Sequence, residues 1–375
     1  MVSDINWILK SILKQGFTSC YVSFRNKLGK RWIMPQRNMI TAMNLYQPSS
    51  TKGKLVKHFL PYLSQFEFIR TCLKIEQNRY ELCDELANLF FTIFNCNNIE
   101  FSLFCGTPSA HQKITMQIFN KKNILGYCKI SNRIELIDLF KHEESLLQEL
   151  AGKGVDGIPR CMYNGTLSNG VSVFLLSTSK TSLSKVVHSL SSLHWNFLAR
   201  LNAKTKSYIS FEETDFYHSI KLLKQNLNYL PAKTKDIISD AIENTENIYG
   251  GTQVEFSVYH ADFVPWNMFV EKDELFVFDW EYAGRTFPPF LDAFHFFTQT
   301  LVCGHHKNDE SIYQIYKYSK RDFAQFVKNP DFTYLCYLLS ILSIYISREK
   351  ENVTPEIKES INSWIRIVKK LLDKT

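Results

Sequence analysis

The most informative stretch of the chain lies between residues 254 and 281, where two short apolar β runs each end in oxygen-bearing side chains. Val254-Glu255-Phe256-Ser257-Val258-Tyr259 reads as a strand running into His260-Ala261-Asp262, and Leu275-Phe276-Val277-Phe278 reads as a second run delivering Asp279-Trp280-Glu281. Asn267 lies between them, separated from Asp262 by four residues, so a single loop could aim both side chains inward. Phosphoryl transfer needs a carboxylate to orient the attacking hydroxyl, and oxygen ligands to hold magnesium against nucleotide phosphates. Asp262 suits the first task, and Asn267 and Asp279 suit the second.

His260-Ala261-Asp262-Phe263-Val264-Pro265-Trp266-Asn267, followed by Phe278-Asp279-Trp280-Glu281-Tyr282-Ala283-Gly284, resembles the aminoglycoside phosphotransferase and choline kinase superfamily. The resemblance implies an α+β, bilobal protein-kinase-like fold with a small β-rich N-lobe and a mainly helical C-lobe. It implies ATP or another nucleoside triphosphate as co-substrate, with Mg2+ held by Asn267 and Asp279 and with Asp262 as catalytic base. His260, Glu281 and Asp292 then fall in supporting positions, Asp292 as a brace for the catalytic loop. The superfamily usually has glycine where this chain has Ala261. A backbone with negative φ accepts alanine there, and a left-handed one is strained by it.

The resemblance also implies an upstream half of the site. Ile99 to Phe104, Ile114 to Phe119 and Ile124 to Ile130 read as three strands of an antiparallel meander, and 137–151 reads as a helix. Lys129 in the third strand stands where the superfamily places the lysine that contacts nucleotide phosphates. Glu143 is its expected partner, with Glu144 the alternative. The loop after the first strand has Gly106 but no G-x-G-x-x-G, so it is no glycine-rich cradle. Backbone amides of Thr107 to Ala110 remain available to phosphate, except at Pro108, which has none to donate.

At 375 residues the chain is long enough for two lobes plus an extension. The expected division is a basic N-terminal extension over 1–55, a helical lead-in and nucleotide-binding lobe over 56–178, and a helical lobe with catalytic loop and acceptor site over 179–375. Within it, 56–95 reads as helical, Val171 to Leu176 as a strand and Ser177 to Lys180 as a hinge. Phe332 to Ile346 is apolar but interrupted by Thr333, Ser340 and Ser343, and reads as a buried helix rather than a membrane span.

Charge is unevenly distributed. The first sixty residues hold ten Lys or Arg against Asp4 alone, a balance of +9, which leaves −2 for the rest of a chain whose net charge is +7. Ile5, Ile8, Leu9 and Ile12 make an apolar helical stripe, widened by Trp7 and Leu13 and flanked by Lys10 and Lys14. Two readings follow: a helix lying on an anionic membrane surface, or one docked on the lobes by the same stripe. Nine cysteines without C-x-x-C spacing point to reduced thiols, and no apolar leader is apparent, so the expected location is cytoplasmic or peripheral at a membrane. No nucleic-acid-binding motif is apparent, and nucleic acid is not an expected partner.

These features together favour phosphorylation of a hydroxyl on a small molecule or glycan. Protein substrates fit poorly, because Pro288-Pro289 follows Asp279 too closely for a long activation segment. The alternative is a catalytically silent kinase-like scaffold, against which the retention of Asp262, Asn267 and Asp279 argues. A polycationic aminoglycoside favours an acidic cleft, yet 292–375 holds twelve basic and ten acidic residues. The basic N-terminal segment instead favours an anionic acceptor, such as a phosphorylated sugar or an envelope glycan precursor. The aromatic residues from Trp280 to Tyr345 offer either a cage for quaternary ammonium or plain core, the latter being the commoner use.

Overall fold

The central strands of the sheet in the first half of the chain bury side chains on both faces. In this computed structural model, which describes residues 5–48, 50–109, 112–304, 307–349 and 354–373, the chain divides into two units. One comprises Met1–Glu149 and Ile158–Lys185, the other Leu150–Gly157 and Val186–Thr375.

In the first unit, α1 (Ile5–Ile12) leads into β1 (Leu13–Arg25) and β2 (Arg31–Pro35). Next come the helices α2 (Met39–Ala42), α3 (Thr51–Leu63) and α4 (Glu67–Cys72), β3 (Glu76–Leu82) and α5 (Asp84–Phe94). The meander β4 (Glu100–Phe104), β5 (Ile114–Asn120) and β6 (Asn123–Ser131) precedes α6 (Ile134–Gly152), and β7 (Cys161–Thr166) and β8 (Ser172–Leu176) complete the set. The strands form one eight-stranded sheet in the order β3-β1-β2-β4-β5-β6-β8-β7, and its neighbouring pairs are antiparallel.

This arrangement corrects the expected division of the N-terminus. Residues 1–55 are not an appended extension: β1 and β2 lie inside the sheet, and α1 packs on it. Side chains alternate between the faces, as a strand requires. Tyr21 and Ile33 join Ile8, Leu9, Ile12, Leu86 and Phe90 in one core. Val22, Trp32 and Met34 join Met39, Met43 and Leu60 in a core on the opposite face. The stripe that would lie on a membrane is therefore occupied, with Ile8 and Ile12 fully buried.

A second correction concerns 56–95, expected to be helical throughout. Glu76–Leu82 is instead the edge strand β3, paired with β1 from Leu13↔Leu82 to Ser23↔Glu76 across a bulge. Its charged, largely exposed residues give no apolar period, and such residues commonly blunt a sheet edge against further pairing. The expected meander and the helix after it are present.

In the second unit, α7 (Ser192–Thr205), β9 (Ser207–Ser210), α8 (Asp215–Gln225) and α9 (Ala232–Tyr249) lead to β10 (Gln253–Tyr259). A hairpin of β11 (Met268–Glu271) and β12 (Glu274–Val277) follows, then β13 (Gly284–Phe287) and the helices α10 (Leu291–Gln299), α11 (Asp309–Phe323), α12 (Pro330–Glu349) and α13 (Pro355–Leu372). β10 lies between β13 and β9. Gly157, at φ 76°, accepts a 2.8 Å bond from Val277 N through its carbonyl, and a Cβ there would collide with the Leu275 carbonyl.

Helix α10 is held by aromatic packing: Phe294 stacks on Phe323 at 4.4 Å and on Tyr334 at 5.3 Å. Thr298 and Gln299 reach the Tyr334 and Tyr337 hydroxyls, each at 3.1 Å. Trp280, Phe294, Tyr316, Tyr334 and Tyr337 are fully buried, so these aromatics serve as core, the commoner of the two readings. Pro330–Ser347 of α12 has the length and composition to cross a membrane, but 67% of it is buried inside the protein, as expected for a core helix.

Candidate active site

The loop after β10 is shaped by one buried carboxylate. Asp292, near the start of α10, accepts from His260 N at 2.8 Å through Oδ2 and from Ala261 N at 3.2 Å through Oδ1. Burial pushes its carboxyl up to about 7, while the two N–H donors and the nearby Asp262 charge pull in opposite directions. His260 is buried too, and desolvation lowers it to about 4, so it is neutral at physiological pH. The neutral ring bridges two segments: Nε2 donates to the Phe278 carbonyl at 3.1 Å, and Nδ1 accepts from Asp262 N at 3.2 Å. It also packs against Trp280, with ring centroids 4.4 Å apart.

Ala261, between these two, has φ 68°. The conformation is the left-handed one that alanine tolerates poorly, so the condition for an unstrained substitution is not met. Ala261→Gly releases about 1–2 kcal/mol of strain and adds about 0.4–1 kcal/mol of unfolded-state entropy. Denaturant unfolding should therefore show a net gain of roughly 0.5–1 kcal/mol, and a loss would mean the methyl packs favourably enough to outweigh the strain.

Asp262 and Asn267 meet directly. A 3-10 turn over Pro265–Asn267 folds Asn267 back so that Nδ2 donates to Asp262 Oδ2 at 2.7 Å and to the Asp262 carbonyl at 3.0 Å. With its amide nitrogen so engaged, Asn267 keeps Oδ1 as an acceptor. The β11–β12 hairpin then sets Asp279. Its turn residues Lys272 and Asp273 both have positive φ, as a two-residue type I′ turn demands. At the open end Phe278 N donates to the Asn267 carbonyl at 3.0 Å, which makes Asp279 the next residue after Asn267's backbone partner. Asp279 is itself left-handed at φ 72°, a conformation that costs energy and clusters at functional sites. Carboxylate oxygens of Asp279 and the buried Glu281 lie within 4.8 Å of each other.

In the sheet unit, Lys129 of β6 meets Glu143 of α6, Nζ to Oε2 at 2.6 Å, with side-chain exposures of 9% and 0%. Truncating one partner of so buried a pair typically costs about 3–5 kcal/mol, because the other charge is left uncompensated. Glu144, the alternative, faces elsewhere: it accepts from Asn164 at 2.8 Å. Adjacent helical residues point about 100° apart, so only one of the two can meet Lys129. Of the loop considered for phosphate approach, Ala110 lies outside the described residues, and Gly106 is left-handed at φ 72°.

Sequence reasoning missed His295. It stands on α10 three residues after Asp292, with Nε2 3.5 Å from Asp262 Oδ1. The available signal was that helical spacing, which puts His295 on the Asp292 face.

No protein-family profile and no curated protein matches the chain by sequence. Among solved structures it is similar to a thermostable mutant of aminoglycoside phosphotransferase APH(4)-Ia in its apo form, with TM-score 0.52 and 11% identity over 76% of this chain and 98% of that one. The same enzyme in ternary complex with ADP and hygromycin B matches with TM-score 0.52 and 10% identity over 76% and 98%. The chain thus has the kinase-like α+β fold of the aminoglycoside phosphotransferases, with a β-rich N-terminal unit and a helical C-terminal one.

Proposed function

We propose that this protein is a nucleoside-triphosphate-dependent kinase that phosphorylates a hydroxyl group of a small molecule or glycan. The observation that carries the reading is the Asp262–Asn267 contact at 2.7 Å in a loop braced by Asp292, with Phe278, the residue before Asp279, bonded to the Asn267 carbonyl. Asp262 orients the acceptor hydroxyl and takes its proton as the oxygen attacks the γ-phosphorus, while the bridging P–O bond breaks and the nucleoside diphosphate leaves. Lys129, held by Glu143, neutralises nucleotide phosphate charge. The oxygen donors of Asn267 and Asp279 suit magnesium, with Glu281 in support. When bound, the ion draws charge from the phosphate oxygens.

The acceptor is an uncharged or anionic hydroxyl compound, such as a phosphorylated sugar or an envelope glycan precursor. Twelve basic against ten acidic residues over 292–375 do not favour a polycation. Nucleotide consumption measured with ATP and GTP, with magnesium, across sugars, aminoglycosides, choline and glycan precursors tests this reading. Acceptor-dependent consumption supports it. Nucleotide binding without turnover on any acceptor would favour the silent scaffold.

The metal assignment has its own test. Asp279→Ala should weaken magnesium-dependent nucleotide binding more than Asn267→Ala, since the first removes a charge as well as a ligand. Calorimetry with and without magnesium measures the order, and equal binding by both variants and the parent would remove both residues from the metal site.

A further inference from the structure

His295 is 2% exposed, and among the described residues neither of its ring nitrogens makes a hydrogen bond. Burying two polar atoms unpaired is costly, and native structures seldom do so without a use. Its ring meets Tyr337 edge-to-face at 5.6 Å, a contact that uses neither nitrogen as a hydrogen-bonding group. The polar atom it approaches is Asp262 Oδ1, at 3.5 Å. The other carboxylate oxygen, Oδ2, already accepts from Asn267 at 2.7 Å.

We propose that His295 is a positioning residue for Asp262. Its Nε2–H donates to Oδ1, so the carboxylate is clamped between the Asn267 amide on one oxygen and the imidazole on the other. At 3.5 Å the contact is longer than a formed hydrogen bond, and catalytic hydrogen bonds commonly close from such distances only when substrate is bound. A single helix then performs two tasks: Asp292 fixes the loop backbone through His260 and Ala261, and His295, one turn on, fixes the rotamer of the base. The inference rests on the kinase reading of Asp262.

The test uses the full chain, ATP and magnesium, with water as phosphoryl acceptor, and the variants His295→Phe and His295→Gln beside Asp262→Asn. His295→Phe removes two unpaired nitrogens, so its melting midpoint should equal or exceed the parent's. Its kcat should fall roughly tenfold while KM for ATP stays put, because a small misplacement of a reacting group costs rate rather than ground-state binding. His295→Gln returns an N–H donor and should recover most of the rate. If both variants lose stability and rate together, His295 is core and the proposal is overturned. Parental kcat in His295→Phe, with Asp262→Asn impaired, overturns it while leaving the kinase reading intact. If the parent does not hydrolyse ATP, which a kinase without its acceptor need not do, the acceptor screen decides the kinase reading and nitrogen NMR of the His295 ring decides the contact. Ring shifts that move in Asp262→Asn support the clamp, and unmoved shifts overturn it.

Discussion

Asp262→Asn is expected to fold, melt and bind nucleotide like the parent, yet to lose a hundredfold or more of its turnover, about 2.7 kcal/mol of transition-state stabilisation. The fold should survive for a local reason. The contacts that shape the loop run through backbone atoms, from His260 and Ala261 N to Asp292 and from Asp262 N to His260 Nδ1, and the substitution touches none of them. An asparagine at 262 can also turn its amide oxygen toward Asn267 Nδ2, preserving the contact now made at 2.7 Å. What it cannot do is accept the hydroxyl proton or carry the charge that aligns the nucleophile. Phosphoryl transfer passes through a loose transition state in which positioning counts for much of the catalysis, so the expected loss is set at the lower end of what removing a general base can cost. Parental turnover in this variant would take Asp262 out of the base role.

Removal of residues 1–55 is expected to abolish cooperative folding. The deletion takes away β1 and β2, which separate β3 from β4 in the sheet. It also removes Ile8, Ile12, Tyr21, Val22, Trp32, Ile33, Met34 and Met39, each at most 6% exposed. At about 1.5–3 kcal/mol for each large apolar side chain buried, their combined contribution of about 12–24 kcal/mol matches or exceeds the roughly 5–15 kcal/mol by which a whole domain is stable. The partners left behind, Leu86, Phe90, Phe101 and Leu103, would face water. Insoluble product, or a soluble one without a thermal transition, is the expected outcome. A deletion that melts cooperatively and loses only its binding to anionic vesicles would restore the surface-attachment reading of the basic segment.

The division between what was legible in the sequence and what was not follows the range of the interactions. The β4–β6 meander, helix α6 and the strand–loop–strand run around Asp262 were legible, because each is specified by the period of its own residues and by turns a few residues long. The contact between Asp262 and Asn267 was legible for the same reason: the two are near neighbours in sequence, and one loop brings them together. β1, β2 and β3 were not. Residues 21–23 and 32–34 bury both faces, so they lack the polar–apolar alternation of a half-exposed strand, and β3 is a charged edge separated from its partner β1 by β2 and the helices α2, α3 and α4.

Three local outcomes also needed the tertiary structure. Glu143 rather than Glu144 faces Lys129 because of how α6 is rotated about its axis, and composition cannot distinguish adjacent glutamates. Ala261 is left-handed because Asp292 draws in two consecutive amides, a demand made by a helix thirty residues downstream. His295 reaches Asp262 because the same helix is pinned by Phe323 and Tyr334. By itself the sequence determined which groups are candidates for chemistry and which short segments carry them. Only the packing of distant segments decided which of those groups meet, because a helix face or a sheet position is set by the free energy of burying it against partners that local periodicity does not encode.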